Sequence, residues 1–354
     1  MYIKLNIIKI INIKNQIITM INQKAKCFIS ETYDPWFNLA TEDWIFKDMD
    51  SSQHILFLWR NDKTVVIGRN QNPWAECSLK KMEENNINLV RRQSGGGAVF
   101  QDLGNTNFTF LSSRSNYDKK RNFQIIINSL KKFGIEAEQS GRNDILVNGL
   151  KISGSAFKEN PDRAFHHGTL LINVNLSELA NYLTPSQKKL LSKGTTSVRS
   201  RVANLSEFDQ EISHESLTDA IIDEFFKTYN TEKSIEILNK ESLKKIPELN
   251  NYYEFLKSHE WRFGETPSFN THLNERFDWA TLDLHINAEK GKIISAKVFS
   301  DCLDTQLIEC LEKKFHGLEF NSHAINISLD NLKNELPHSA KQIEDIQNWL
   351  KNEI

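Results

Sequence analysis

The chain has 354 residues, 39% hydrophobic and 10% aromatic, enough to bury a sizeable core as two domains or as one large domain with an appendage. Its 44 Lys and Arg nearly balance 46 Asp and Glu, so no global field draws it to nucleic acid or a membrane surface, and charge-based recognition has to be local. No stretch approaches the ~20 apolar residues of a membrane span. Cys27, Cys77, Cys302 and Cys310 are scattered, without a CxxC pair or a histidine at ligand spacing beside them. They read as reduced thiols of a cytosolic protein.

Residues 1–19 are rich in Ile, Asn and Lys and contain no acid. They lack arginine, a sustained apolar run and a small-residue cleavage site, and so fit neither a signal nor a transit peptide. They read as a dispensable extension, with Met20 as the functional start. Asp34-Pro35 then predicts an N-cap and a proline at the first helical position, followed by Phe37, Leu39, Ala40, Trp44 and Ile45 at helical spacing. Strands are expected over 54–60 and 64–69, joined by the polar turn 61–63. Asn72-Pro73 opens a helix to about residue 86, and further strands follow near 89–93, 98–100 and 108–111. A helix over 121–133 carries Phe123, Ile126, Ile127, Leu130 and Phe133 on one stripe, stopped by Gly134. Strands at 144–158 and 165–175 precede a helix led by Ser213.

Residues 230–262 are polar, lysine-rich and weakly patterned, as a connection between domains would be. A hairpin over 281–299 opens a second unit, and a final helix near 339–352 presents Ile343, Ile346, Trp349 and Leu350. Many hairpins and few βαβ alternations argue for α+β rather than a doubly wound sheet.

The run Arg91-Arg92-Gln93-Ser94-Gly95-Gly96-Gly97-Ala98-Val99-Phe100 is the most informative. Each glycine costs about 1 kcal/mol of order relative to alanine in regular structure. In return the backbone can approach a ligand without Cβ interference, its N–H groups free to face an anion. An adjoining arginine adds a charged planar fork suited to phosphate or carboxylate. A tight strand connection with solvated arginines would read the same. The run is neither a Walker loop, lacking Gly-Lys-Ser/Thr, nor a Rossmann fingerprint, lacking GxGxxG.

Asn148-Gly149, between apolar-alternating arms, signals a two-residue hairpin turn. With that turn Val147 faces Leu150, Leu146 faces Lys151, Ile145 faces Ile152 and Asp144 faces Ser153. Ile145, Val147, Leu150 and Ile152 then share the core face, leaving Asp144, Lys151, Ser153 and Ser155 on the other. That second face is either a polar pocket or a solvated sheet surface. His166 and His167, adjacent on a strand, point to opposite faces and do not jointly ligate one metal. His167 is a pocket-lining candidate, though a structural histidine fits as well. Residues 102–107, with Asn105, are dense in hydrogen-bonding groups for a base edge or for turn chemistry. The basic run 194–201 suits a phosphate clamp or a solvated turn. No GxSxG elbow, HExxH or EF-hand loop occurs.

These runs resemble the lipoate–protein ligase A family. The resemblance rests on YDPWFNLATED from residue 33, LFLWRNDKTVVIGRNQNPW from 56, RRQSGGGAVFQDLGNTNFTF from 91, SGRNDI from 140, LKISGSAF from 150, FHHGTLL from 165 and KGTTSVRSRVANL from 193. EWRFGETPSF from 260 is a weaker match to the start of the family's accessory domain. Together they cover most of residues 30–210 in the family's order. The resemblance implies an α+β catalytic domain with a mixed β-sheet, of the biotin/lipoate ligase type, over 20–260. A small C-terminal α+β accessory domain would occupy 261–354.

It further implies that ATP is bound by Arg92, Gly97, Ala98, Val99, Phe100 and Lys151, and lipoate by Lys151, Gly95, Gly96 and His167. Lys151 would be the catalytic group, contacting the lipoyl carboxyl and the α-phosphate. Ser94, Asn105, Asn143, Asp144 and Ser153 would line the pocket, with Asp144 a candidate for Mg²⁺. The implied partners are apo lipoyl domains of 2-oxoacid dehydrogenase E2 subunits and the glycine-cleavage H protein, with no nucleic acid and no membrane. Two rivals share the expectation of lipoyl binding. One is a carrier-to-carrier octanoyl or lipoyl transferase working through a cysteine thioester, for which Cys77 is the residue to inspect. The other is a non-catalytic paralogue that binds lipoyl domains. A shorter surface loop before the lysine motif, closed here by the Asn-Gly turn, departs from some relatives.

Overall fold

A computed structural model describes residues 24–183, 202–263, 271–289 and 291–354. The N-terminal extension and the basic run 194–201 lie outside the described residues. The chain opens with strand β1 (Lys24–Ser30) and helix α1 (Pro35–Asp48). The Asp34 carboxylate caps α1, accepting from the N–H groups of Trp36 and Phe37 at 3.0 and 3.3 Å. Strands β2 (Gln53–Trp59) and β3 (Thr64–Ile67) follow. The helix expected over 73–86 is two pieces, α2 (Pro73–Glu76) and α3 (Leu79–Glu84). Between them Cys77 forms a β-bridge with Leu183, and the Ser78 N–H donates to the Tyr182 carbonyl at 2.9 Å. That break answers to a segment a hundred residues away, which no local pattern encodes.

Next come β4 (Asn88–Arg91), β5 (Val99–Gln101), β6 (Asn105–Ser113) and helix α4 (Lys119–Lys131). Strands β7 (Glu138–Ser140), β8 (Asp144–Val147), β9 (Leu150–Glu159) and β10 (Arg163–Leu171) lead to α5 (Leu176–Tyr182). Helix α6 (His214–Tyr229) starts at Ser213, which forms a capping box with Ser216. After it come β11 (Ile235–Leu238), α7 (Ser242–Lys245), α8 (Pro247–Lys257) and α9 (His259–Phe263). The chain closes with β12 (Thr271–Arg276), β13 (Thr281–Glu289), β14 (Lys292–Ser300), α10 (Thr305–Phe315), α11 (Ser322–Glu335) and α12 (Ala340–Glu353).

These elements form two compact units. Among the described residues, the first takes 24–62, 101–175 and 202–253, and the second takes 63–100, 176–183, 254–263, 271–289 and 291–354. An eight-stranded sheet in the order β11-β1-β2-β6-β10-β9-β8-β7 is the frame of the first. Strand β1 runs parallel to both β11 and β2, and the other neighbours are antiparallel, so the sheet is mixed. Helices α4 and α6 close its core. Phe123, Ile126 and Leu130 join Leu217, Ile221 and Phe225 against Leu56, Leu58, Phe108, Phe110 and Leu170. The stripe expected on α4 is therefore the buried one. Helix α1 instead buries polar Asn38, Thr41, Glu42 and Asp43 along with its apolar residues.

Residues 230–262, expected as a connection, supply the edge strand β11, paired in register with 27–30 of β1. Ile235 and Ile237 are 45% and 55% exposed, so β11 lacks the apolar-in, polar-out alternation that would have marked it. In the second unit β4-β3-β5 form one small sheet and β12-β13-β14 another. The latter packs Leu282, Leu284, Ile286 and Val298 against Leu307, Leu311, Leu329, Ile343 and Ile346 of its helices. The fold is the α+β arrangement that the hairpin-rich sequence implied. No helix among the described residues is long and apolar enough to cross a membrane.

His54, buried in β2 and stacked on Tyr229 at 4.0 Å, is pushed down to about 4 by burial and then by the Arg121 charge. The unfolded chain protonates this histidine near 6.5, so between that pH and 4 it binds more protons than the folded chain. Stability should therefore fall as pH drops through that window, by up to about 3 kcal/mol from this group at ~1.4 kcal/mol per pH unit. Thermal melts of the wild type and His54→Gln at pH 7 and 5 check this. The wild type should lose more on acidification, and equal losses would count against the assignment.

Candidate functional site

The lysine hairpin lies in the first unit. Asn148 and Gly149 have φ of 52° and 77°, both left-handed, as a two-residue turn of this type requires. Val147 faces Leu150 and Leu146 faces Lys151, as the sequence implied. Beyond them the register shifts, so that Ile145 faces Ser153 and Asp144 faces Gly154. The shift is a bulge, which re-aims side chains locally and leaves no mark in an alternating pattern.

Its result is a preset lysine. The Lys151 ammonium lies 2.7 Å from Asp144 Oδ1, both side chains about one-third exposed. Behind it a Cβ on Gly154 would come within 3.1 Å of Lys151 Cε and Nζ. Glycine there leaves the stem its path. Ser153, opposite core residue Ile145, is fully buried and its hydroxyl makes no hydrogen bond among the described residues. Asn143 braces the strand, donating from Nδ2 to the Ser155 carbonyl at 3.0 Å while its own carbonyl accepts from the Ser155 N–H at 2.7 Å. Asp144 and Lys151 share a face as expected, but the expectation that Ser153 and Ser155 join them is not met: the bulge sets Ser153 opposite buried Ile145, and the Ser155 hydroxyl lies on the core side, 2.9 Å from His166 Nε2.

His166 and His167 do face opposite ways. His166 is fully buried among Phe108, Phe123 and Phe157, with Nε2 2.9 Å from Ser155 Oγ. Burial, with His167 adjacent, holds it well below its ordinary pKa, so it is neutral. His167 Nδ1 lies 2.8 Å from Glu42 Oε2, an oxygen that also accepts from the Thr109 hydroxyl at 2.7 Å. Thr109 Oγ1 accepts in turn from the Trp59 indole N–H at 3.1 Å. Glu42 is 1% exposed. A buried carboxylate held by two donors orients the His167 ring, and sequence reasoning passed it over. An acid three residues after Leu39, at the spacing of the helix's apolar residues, was the available signal. Gly168 follows because a Cβ there would meet the Phe108 ring at 2.4 Å. Asn105 is fully buried, its Nδ2 donating to Asn107 Oδ1 at 3.0 Å within a network through Gln101 and Asn61.

The glycine loop lies in the second unit. Arg92 is 6% exposed and turned inward. Its Nη2 donates to the carbonyls of Gly95 and Gly97 at 2.7 and 2.8 Å, Nη1 to that of Val66 at 3.2 Å, and Nε to Ser94 Oγ at 3.0 Å. Arg91 is likewise buried, donating from Nη1 to the carbonyls of Gly68, Arg69 and Gln71. Burial, with Arg69 beside it, lowers Arg91 to about 10, which leaves it charged at neutral pH. The Arg92 fork thus holds the glycine loop from inside, and the Arg91 fork holds the 68–71 turn. Gly96 adopts φ of 93°, open only to glycine without strain.

The loop meets its own chain closely. A Cβ on Gly95 would come to 2.1 Å from the Cys302 carbonyl, to which the Gly96 N–H donates at 3.1 Å. Gly97, Ala98 and Val99 are half-buried, whereas Phe100 packs its ring with Val65, Ile67 and Tyr182 and offers a ligand only backbone. Cys77 is buried, and burial raises its thiol to about 12, so it holds no nucleophilic thiolate at neutral pH.

Residues 34–226 match the lipoyl protein ligase A/B catalytic domain, and residues 266–350 match the bacterial lipoate protein ligase C-terminus. The chain belongs to the lipoyl protein ligase A/B family. It is 50% identical over 336 residues to the lipoate-protein ligase A of Psychrobacter cryohalolentis, covering 94% of this chain and 99% of that protein. The crystal structure of P. falciparum LipL1 in complex with lipoate superposes with a TM-score of 0.83 at 36% identity, covering 93% of this chain and 99% of that one. An archaeal lipoylation system from Thermoplasma acidophilum, a bi-partite lipoate protein ligase and its E2 lipoyl domain, gives 0.62 at 25% identity over 70% of this chain and 99% of that chain.

Gly95→Ala should lower the melting temperature, because the new methyl overlaps a backbone carbonyl and overpacking costs roughly 1–3 kcal/mol. A wild-type melting curve would contradict the packing described for the loop.

Proposed function

We propose that this chain is an ATP-dependent lipoate–protein ligase acting in two half-reactions. A carboxylate oxygen of lipoate attacks the α-phosphorus of ATP, forming lipoyl-AMP and expelling pyrophosphate. The ε-amine of an acceptor lysine then attacks the acyl carbon, forming the amide and releasing AMP. The observation that carries this reading is Lys151, an ammonium held 2.7 Å from Asp144 within a family-matched motif.

Lys151 is assigned the charge that grows on the α-phosphate and acyl oxygens. It exchanges its exposed ion pair with Asp144, which is cheap to break, for the substrate's oxygens. Arg92 is assigned the shape of the glycine loop, whose Gly97, Ala98, Val99 and Phe100 backbone is assigned to ATP. Gly95, Gly96 and His167, together with Lys151, are assigned to lipoate, and Ser94, Asn105, Asn143 and Ser153 to the pocket around it. Asp144 belongs to no cluster of three potential metal ligands among the described residues. A Mg²⁺ ion there would draw its remaining oxygens from phosphate and water, as this ion commonly does.

The acceptors are inferred to be apo lipoyl domains, of which the E2 domain named with the archaeal ligase is one example. E2 subunits and the glycine-cleavage H protein are the specific candidates, and the cytoplasm the compartment. The catalytic domain is assigned to 20–260 and the accessory domain to 261–354. A thioester route has less support, since burial raises both the Cys27 and Cys77 thiols to about 12.

Lys151→Ala should lower lipoate-dependent ATP–pyrophosphate exchange by roughly 100-fold or more, the scale of losing one preorganised donor, with the circular dichroism spectrum unchanged. Asp144→Asn should lose less, because the ammonium remains. Near-wild-type exchange by Lys151→Ala would remove the catalytic role given to this lysine.

A further inference from the structure

Apart from the adenylation machinery, the C-terminal sheet gathers three metal-ligating side chains on one face. His272 on β12 stands directly opposite His285 on β13, and Asp283 precedes His285 by two residues, so all three project from the same side of the hairpin. The other side carries Leu282, Leu284 and Ile286 into the helical core. The two imidazoles stack with centroids 4.4 Å apart and planes 27° from parallel. Both turn Nε2 to one carboxylate, His272 to Asp283 Oδ1 and His285 to Oδ2, the latter at 3.2 Å. One donor atom from each residue lies within 4.8 Å of the others.

We propose that His272, Asp283 and His285 form a binding site for a first-row divalent cation of the zinc type. Two imidazole nitrogens and one carboxylate oxygen are a borderline-soft set that favours zinc, nickel or copper over magnesium and calcium. Donors around a tetrahedral ion at ~2.0–2.2 Å stand roughly 3.3 Å apart, so the cluster has to close by about an ångström and a half at most. His272, 58% exposed in its side chain, is free to make that movement.

An ion replaces both Nε2 protons and satisfies all three groups together. The surroundings support the charge count. Lys297, opposite His285 on β14, is neutralised by Glu312 at 3.0 Å, and the Phe299 ring packs edge-on against His285 at 5.3 Å. Three protein ligands leave a position for water, which makes this an exchangeable site that ties edge strand β12 to β13 rather than a closed structural one. Bound metal then stabilises the folded chain by mass action.

The test uses the full chain, stripped with chelator and dialysed against zinc chloride, with bound metal measured by elemental analysis and affinity by calorimetry. The wild type should retain one equivalent that His272→Gln and Asp283→Asn each bind at least roughly ten-fold more weakly, with unchanged circular dichroism. The wild type should also melt higher with zinc than without, and the His272→Gln variant should not. If cysteines elsewhere take up zinc, the wild type still exceeds the variants by one equivalent. Equal uptake and affinity in wild type and variants, or no uptake by the wild type, overturns the site.

Discussion

A buried guanidinium fixes the shape of the glycine loop. Arg92 has its fork on the carbonyls of Gly95, Gly97 and Val66, and such donors can stay buried only because each finds an acceptor. A loop with three successive glycines would otherwise sample many conformations, at an entropic cost on each binding event. Held by Arg92 from within and by the Cys302 carbonyl at Gly96, its backbone is preorganised before any ligand arrives. The loop's shape is therefore held by the Arg92 side chain and the Cys302 carbonyl, not by the glycines alone.

That arrangement explains what could and could not be read from the residues alone. The Asn-Gly turn, the α4 stripe and the Ser213 cap were legible because each depends on neighbours a few residues away. The bulge at Ile145/Leu146, the break at Cys77–Ser78 and the edge strand β11 were not, because partners distant in sequence impose them. The glycine loop lies between these cases. Its glycines signalled close backbone approach, and Gly95 makes one to the Cys302 carbonyl. Arginine beside a glycine run looks the same whether its fork faces phosphate or the loop's own carbonyls.

The chemistry of the lysine hairpin was more transparent. Asp144 and Lys151 share a face by simple alternation, and the bulge changes the partner of Asp144 without separating the two. Glu42 shows the opposite limit. Its role in orienting His167 needs a helix and a strand 125 residues apart to meet, and only a burial argument on α1 hinted at it. Family membership adds what geometry alone does not, the identity of the reaction.

The central claim is that this chain joins lipoate to protein at the expense of ATP. The most direct measurement is the intact mass of a purified apo lipoyl domain after incubation with the enzyme, lipoate, Mg²⁺ and ATP. The account predicts a gain of one lipoyl group on a single lysine, strictly dependent on ATP and on the enzyme. An unchanged mass, or equal modification when ATP is omitted, would contradict it.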